Sequence, residues 1–189
     1  MALVLVDISS YLAFRTAVMG NGYDVDGSAG YQCWDLGAEL WGNTGNYAYP
    51  YLSTGGTGYA YGIWSVEWAR NQNAGNDFTL IYNLSDVKQG DMIVLDKGRF
   101  TGDVSGHNAF ADEDYNGTNT MWLVGQNQVN PNPTTGHVTT RNQMDVSKFL
   151  GAFRYNAWTP TPPPPTPTTK TNFPWVLYAN KLRNNRNGL

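Results

Sequence analysis

A run of threonine and proline near the end of the chain limits where a folded domain can lie. Residues 159–169 read TPTPPPPTPTT in a chain of 189 residues. Such a segment offers no apolar side chains for a core and favours an extended polyproline-type conformation, so it predicts a linker. We therefore assign residues 1–157 to one domain, 158–171 to the linker and 172–189 to a short tail.

The composition of the chain excludes several classes of partner. Hydrophobic residues make up 41% of the chain, enough for a packed core, while charged residues make up 14% and the net charge is −3. This charge gives no basic surface for nucleic acid or for anionic lipid. No apolar run reaches the roughly 18 residues of a membrane span, and Met1–Asp7 lacks the basic residues of a secretory signal. We expect no nucleic-acid partner, no membrane partner and no signal peptide.

Helix signals come early in the domain and strand signals come late. Helical periodicity predicts helices over residues 8–18, 33–41 and 63–71. Short apolar runs bounded by turn residues predict strands over residues 78–82, 92–95, 108–111, 121–125, 137–140 and 149–155. This segregated order is typical of an α+β fold, with N-terminal helices packed on a C-terminal antiparallel β-sheet.

The segment DVDGSAGYQCWD holds a pattern of oxygen-bearing residues. Acidic residues occupy positions one, three and twelve of this segment, with serine and glycine at five and seven: Asp24, Asp26, Asp35, Ser28 and Gly30. This spacing matches the ligands of a twelve-residue calcium loop. It departs from an EF-hand at Ala29, where glycine is expected, and at position twelve, where glutamate is expected. The alternative is a solvated Asp-Gly turn, and Asp35 at the twelfth position favours calcium.

The single cysteine of the chain, Cys33, lies inside this segment at the predicted start of a helix. A lone cysteine is usually a small buried apolar residue. A helix N-terminus, however, lowers the pKa of a thiol and favours the nucleophilic thiolate. We therefore predict that Cys33 is a nucleophile with a lowered pKa.

A nucleophilic cysteine needs a base, and the chain has two histidines. His107 enters an apolar strand after a turn, which predicts a position at the rim of the sheet. Asn127 ends the next predicted strand, and antiparallel pairing would bring it beside His107 to orient the imidazole ring. His137 is interpreted as a surface or structural residue.

These motifs, in this order, resemble those of CHAP domains, especially the CHAP domains of bacteriophage endolysins. The segment from Asp24 to Asp35 resembles the nucleophile motif of the family, and KQGDMIV resembles its Gly-Asp strand. Gly106-His107 is similar to the histidine turn, and Gln126-Asn127 to the third motif. The resemblance covers nearly all of residues 5–157.

The resemblance implies a papain-like CHAP fold and assigns roles to three groups of residues. Cys33 would be the nucleophile, His107 the base and Asn127 the third catalytic residue, while Gln32 would help to form the oxyanion site. Gly125 stands where family members often have glutamate, which leaves the orienting role to Asn127. The resemblance also implies Ca²⁺ and no organic cofactor. The side chains of Asp24, Asp26 and Asp35 would hold the ion. Ser28 and Gly30 would match the backbone donors.

The function that the resemblance implies is that of a peptidoglycan amidohydrolase. It would be an N-acetylmuramoyl-L-alanine amidase or a cross-bridge endopeptidase, acting as a monomer on bacterial peptidoglycan. As an endolysin it would be made in the host cytoplasm and reach the cell wall after holin-dependent release. The alternatives are a bacterial autolysin of the same fold and a calcium-dependent wall-binding module without catalysis. The tyrosine-rich loop 47–61 is predicted to be exposed, and the tail 172–189 to begin a wall-binding module.

Overall fold

The computed structural model describes residues 4–44 and 52–158 of the chain. Within them, four α-helices precede six β-strands. The helices are α1 (Tyr11–Val18), α2 (Cys33–Asn43), α3 (Gly62–Ser65) and α4 (Glu67–Ala74). The strands are β1 (Phe78–Ile81), β2 (Met92–Leu95), β3 (His107–Ala111), β4 (Thr120–Gly125), β5 (Thr140–Asp145) and β6 (Phe149–Tyr155). Two short 3-10 helices, Leu84–Asp86 and Asn156–Trp158, complete the regular elements.

The six strands form one sheet in the order β1-β6-β2-β3-β4-β5, and all neighbouring strands are antiparallel. Strands β2 and β3 lie near the middle, and every residue in both is buried. Helix α2 packs against β3, so the residue that begins α2 lies near this strand. The predicted α+β class and the segregation of helices from the sheet are confirmed.

The two faces of the sheet bury different side chains. Side chains alternate between faces along a strand. Met92, Val94 and Phe110 pack with the helices, whereas Ile93 and Ala109 belong to a second cluster of buried residues. Burial on both faces explains why β2 and β3 read as continuous apolar runs in the sequence.

Two predicted helices differ from the observed ones by more than one or two terminal residues. Helix α1 begins at Tyr11, not at residue 8, because the Ser10 side chain accepts a hydrogen bond from the Ala13 N–H and caps the helix. The predicted helix 63–71 is interrupted at Val66, whose backbone is extended, with φ −89° and ψ 107°. The interruption separates α3 from α4.

The strand predicted over residues 137–140 is wrong, since β5 begins only at Thr140. The backbone of the preceding residues bonds to loops instead of a neighbouring strand. His137 N–H donates to the Tyr31 carbonyl at 3.2 Å, and Thr139 N–H donates to the Asn21 carbonyl at 2.8 Å. These two bonds tie the segment before β5 to the loop before α2.

Trp158, which the sequence places at the start of the linker, packs inside the domain. Its indole N–H donates to the Ile8 carbonyl at 2.9 Å, and its ring lies 5.7 Å from that of Tyr11 and 5.4 Å from that of Phe14. The remainder of the predicted linker and the tail lie outside the described residues. No helix in the described segments has the length and apolar character that crossing a membrane requires.

Candidate active site

Cys33 is the first residue of α2, as the sequence predicts, and its thiol is free and half-buried. Asp35 fixes the start of this helix. Its carboxylate accepts the Gln32 N–H at 3.0 Å, and its own N–H donates to the Gln32 carbonyl at 3.2 Å. The first N–H groups of a helix have no acceptor within the helix. One of them, the Trp34 N–H, stabilises the ionised form of the thiol.

Asn108 joins Cys33 to strand β3. The Asn108 side-chain amide donates to the Cys33 carbonyl at 3.0 Å, and the Asn108 backbone N–H lies by the thiol and stabilises its ionised form. Because Asn108 directly follows His107, the start of α2 and the start of β3 meet here. No hydrogen bond joins Cys33 to His107 in the described part of the chain. Catalytic hydrogen bonds are often loose before substrate binds.

The pKa of the Cys33 thiol is raised, which contradicts the lowered pKa expected from its place in the helix. Burial among apolar side chains is the largest cause, because it disfavours the charged thiolate. The Asn108 N–H and the Arg99 guanidinium act in the opposite direction without overcoming burial. The thiol is therefore protonated at neutral pH and needs a base when it reacts.

His107 is the first residue of β3, is 1% exposed and pairs with Leu95 of β2. Burial lowers the pKa of His107 to about 3, and the positive charge of Arg99 contributes to the decrease. Asp103 and the Gln128 side chain act in the opposite direction. The imidazole is therefore neutral at pH 7 and can accept a proton.

The turn before His107 depends on Arg99 and Asp103, two residues that belong to none of the sequence motifs. Arg99 Nε donates to the Asp103 carboxylate at 2.9 Å, and Arg99 Nη2 donates to the Gly106 carbonyl at 3.1 Å. Gly106 has φ +66°, and a Cβ there would lie 2.4 Å from the Leu95 carbonyl oxygen. Only glycine fits this close approach. No spacing pattern in the sequence links an arginine to a histidine eight positions later.

The contacts of Asn127 do not match the orienting role predicted for it. Its side-chain amide donates to Gln32 Oε1 at 2.6 Å and to the Asn132 carbonyl at 3.0 Å, and its Oδ1 accepts the Asn132 N–H at 2.8 Å. None of these bonds goes to His107. Asn127 therefore holds the loop that leads into α2, because its left-handed backbone, with φ +51°, turns the side chain towards that loop.

Gln32 is engaged in the same loop. Its side-chain amide donates to the carbonyl groups of Ala29 and Asn132. An amide nitrogen carries two hydrogens, so this arrangement leaves none for the predicted oxyanion site. The backbone N–H of Cys33, at the start of α2, is the better donor for that purpose.

The three predicted acidic ligands converge. One carboxylate oxygen from each of Asp24, Asp26 and Asp35 lies within 4.8 Å of the other two. Asp24 and Asp26 are exposed, whereas Asp35 is 1% exposed. Ala29, at the position where a calcium loop has glycine, has φ +60° and so adopts the left-handed backbone that this position requires.

The donor set fits a hard divalent cation. Burial raises the pKa of Asp35 to about 7, and the negative charge of Asp26 contributes, so a bound cation would relieve both effects. Ser28 N–H donates to the Asp26 carboxylate at 2.8 Å, and the Gly30 carbonyl accepts the Gln32 N–H at 2.9 Å. A carbonyl oxygen has two lone pairs, so the Gly30 carbonyl can still act as a ligand.

A groove of about 280 Å³ runs from the acidic loop past the start of α2. Asp26, Asp35, Trp34, Leu52 and Gly58 are among the residues that line it. The Trp34 indole N–H donates to the Leu52 carbonyl at 2.7 Å, which closes one wall. Gln32 and Trp34, the two neighbours of Cys33 in the chain, also line the groove.

The tyrosine-rich loop predicted to be exposed is described only from residue 52 onwards, so residues 47–51 lie outside the described segments. Tyr59 is 43% exposed and its ring stacks on Tyr61 at 6.1 Å. Leu52 and Ala60 are buried. This part of the loop therefore exposes some residues and packs others into the core.

Comparison with known proteins gives one relative in sequence, and no family model matches the chain. Over 122 residues, the chain is 33% identical to a protein named D-alanyl-L-alanine endopeptidase from Streptococcus phage B30. The match covers 64% of this chain and 25% of that protein. The chain thus spans about a quarter of the length of the relative.

Comparison of structures gives an endolysin, LysIME-EF1, with a TM-score of 0.60 and 24% identity, over 79% of this chain and 64% of that one. A second structure, Ly7917, has a TM-score of 0.46 and 18% identity, over 79% and 63% of the two chains. The likeness to LysIME-EF1 is one of fold. It agrees with the papain-like α+β fold predicted from the sequence.

Proposed function

We propose that this domain hydrolyses an amide bond of bacterial peptidoglycan through a thioester formed on Cys33. The observation that carries the proposal is the junction at Asn108, which holds the thiol at the start of α2 next to the strand that begins with buried His107. The groove lined by Gln32 and Trp34, on either side of Cys33 in the chain, is a candidate place for the substrate. The names of the similar proteins, an endopeptidase and an endolysin, support the substrate class.

The proposed reaction begins with proton transfer from the Cys33 thiol to neutral His107 as sulfur attacks the amide carbonyl. The Cys33 backbone N–H, at the start of α2, donates to the developing oxyanion. When the C–N bond breaks, protonated His107 gives its proton to the leaving amine. Water, deprotonated by His107, then hydrolyses the thioester and restores the thiol.

We further propose that the acidic loop binds calcium. Asp24, Asp26 and Asp35 would supply carboxylate oxygens, and Ser28 and Gly30 would supply further donors. A bound cation would offset the repulsion among the carboxylates and hold the loop in one conformation. Since Asp35 also fixes the start of α2, this loop sets the position of the thiol.

Two amide bonds of peptidoglycan fit the proposed chemistry. One joins the lactyl group of the glycan to L-alanine, and the other is a peptide bond of the cross-bridge. We favour the peptide bond, since the relative in sequence is named as an endopeptidase. Mass spectrometry of digested walls distinguishes the two, because only cross-bridge cleavage leaves stem peptides attached to the glycan.

The proposal is tested by incubating the purified chain with Gram-positive cell walls, including those of a Streptococcus, and following turbidity and released fragments. We expect the wild type to release fragments with new amino termini. Cys33→Ala is expected to lose at least about a thousandfold in rate, because it removes the nucleophile. Its free energy of unfolding should change by only about 1 kcal/mol, as one half-buried sulfur is lost.

An outcome with wall binding but no released fragments would identify a binding module and contradict the proposal. Equal rates for the wild type and Cys33→Ala would contradict the thioester mechanism in particular. Cys33→Ser, which keeps a polar atom at the position, serves as the second variant if Cys33→Ala fails to fold.

A further inference from the structure

The space next to Gly125, at the end of β4, is filled by a side chain from three positions further along the chain. A Cβ at position 125 would lie 2.9 Å from the Ala109 Cβ, 3.1 Å from Gln128 Cδ and 3.2 Å from Gln128 Oε1. These distances are shorter than ordinary van der Waals contact. The Gln128 amide therefore takes the place that a longer side chain at position 125 would need.

The orientation of the Gln128 amide is fixed by two backbone carbonyls. Gln128 Nε2 donates to the Thr140 carbonyl at 2.7 Å and to the Leu123 carbonyl at 3.3 Å. The opposite orientation would place Oε1 against both carbonyl oxygens, so the assignment of nitrogen and oxygen is determined by the contacts. Gln128 is 5% exposed, and its Oε1 is buried without a hydrogen-bond partner.

The His107 ring presents a matching atom. His107 Nε2 is also buried without a hydrogen-bond partner. Side chains two positions apart share one face of a strand, so His107 lies on the same face of β3 as Ala109. Ala109 and the Gln128 amide both lie next to Gly125. The Gln128 side chain lies close enough to the ring to stabilise its protonated form. The charged groups that act on the ring are Arg99 and Asp103.

We propose that Gln128 is the positioning residue of His107. Gln128 Oε1 accepts a hydrogen bond from His107 Nε2–H, which leaves the lone pair on Nδ1 to receive the proton of Cys33. Both buried atoms gain the partner that they otherwise lack. Gln128 thus performs the task that the resemblance assigns to Asn127. The catalytic role of Gln128 rests on the proposed function, whereas the contact between Gln128 and His107 does not depend on it.

The kinetic test compares Gln128→Ala and Gln128→Glu with the wild type in wall hydrolysis. Gln128→Ala is expected to lower kcat about tenfold to a hundredfold, part of what acid–base catalysis contributes, with KM unchanged. Gln128→Glu keeps an acceptor oxygen towards the ring, but its second oxygen meets the Thr140 and Leu123 carbonyls and is accommodated there only with a proton, so activity should fall by less than in Gln128→Ala. Ionisation of this carboxyl should move the acid limb of the kcat/KM profile to higher pH, because a carboxylate next to imidazole raises its pKa. A residue with a purely structural role would not move that limb.

Gln143→Ala is the matched control. Gln143 is exposed on β5 and its side-chain amide donates to Thr120 Oγ1 at 3.3 Å, away from His107. It should keep the wild-type kcat and pH profile. A folded Gln128→Ala variant with wild-type kcat, or a Gln128→Glu variant with an unmoved acid limb, would overturn the proposal.

A measurement without turnover separates this inference from the proposed function. In ¹⁵N-labelled protein carrying Cys33→Ala and His137→Ala, His107 is the one imidazole, since the chain has two histidines. We expect the Nε2–H tautomer when Gln128 is present and a mixture of tautomers in the Gln128→Ala version. Identical spectra would overturn the Gln128 contact even if walls are hydrolysed. Distinct spectra with no hydrolysis by the wild type would retain the contact and reject the function.

Discussion

The two halves of the candidate site are built in different ways. The nucleophile half lies within residues 24–35, where short-range bonds such as Val25 N–H to Asp35, at 2.8 Å, are joined by long-range bonds from Asn127 and Asn108. The base half gathers residues from separate elements: His107 on β3, Arg99 on the preceding loop and Gln128 after β4. The first half is partly exposed and acidic, whereas the second is buried and nearly neutral.

This difference determines how each half responds to substitution and to solution conditions. The nucleophile half depends on three carboxylates, two of them exposed and one buried with a raised pKa, so it should respond to calcium and to pH. The base half depends on packing within the sheet, so it should respond to single side chains. Because Asn108 joins the two, neither half is expected to be active alone.

The largest expected effect comes from removing the key side chain of either half. His107→Ala should lower the rate at least about a thousandfold, as Cys33→Ala does, and the double variant should be no worse than either single variant. When two residues act as a unit, replacing either one already removes their shared contribution to the rate, and replacing the second removes nothing more. The measurement is the initial rate of turbidity loss in cell walls. His137→Ala is the control, because His137 is exposed and should keep the wild-type rate. Additive losses would show that the two halves act independently.

Removal of calcium should affect the nucleophile half alone. At a calcium concentration of about one hundred times the Kd, binding to the folded state contributes about 2.7 kcal/mol, or roughly 5–10 °C in Tm. Chelation should therefore lower Tm and the rate of hydrolysis together. Calorimetry with and without chelator measures the first effect. The combined variant Asp24→Asn, Asp26→Asn should show no response to chelator, while His107→Ala should keep the full Tm response. A wild-type Tm insensitive to chelator would mean that the acidic loop is an ordinary solvated turn.

The calcium effect on Tm should increase with pH. The pKa of Asp35 is about 7 in the folded state without a cation, above its ordinary value of 3.8, so the folded state binds the extra proton between these values. Without a cation, the contribution of Asp35 to stability is therefore present below about pH 4 and is lost as the pH rises to about 7. Calcium needs the ionised carboxylate, so its binding strengthens over the same range. We expect a larger difference in Tm at pH 8 than at pH 5. A difference that does not change with pH would exclude Asp35 as a ligand.

The smallest expected effect concerns Arg99, whose charge lowers the pKa of both Cys33 and His107. Arg99→Gln should raise both values and move both limbs of the kcat/KM profile to higher pH. Without Arg99, Asp103 would lack its ion-pair partner. Its negative charge should then raise the pKa of His107 further and increase the shift of the acid limb. At the optimum, the rate should change by less than about tenfold, as one pKa unit is a tenfold change in protonation ratio. Lys97→Gln, a neighbouring exposed position, is the control. A profile that moved only at its alkaline limb would show that Arg99 does not act on His107.

The fold could be predicted from the sequence wherever an element carries its own signal. Strands β2 and β6 have the predicted bounds, because apolar runs ended by turn residues mark them. Strand β5 could not be predicted, since its residues are mostly polar and partly exposed and its pairing with β4 comes from the tertiary structure. The pair of bonds from residues 137 and 139 to distant loops likewise leaves no pattern in the sequence.

The same division applies to the candidate site. The spacing of Asp24, Asp26 and Asp35 around Cys33 is local, so the sequence alone identifies three carboxylates that the structure brings together. The orientation of His107 depends on side chains that meet only when the sheet forms. Gly125 leaves a space at the end of β4, and a residue after the strand fills it, so that Gln128 and not Asn127 lies beside the imidazole. Residue types and short spacings follow from covalent order, whereas the partner of a buried polar atom is decided by long-range packing.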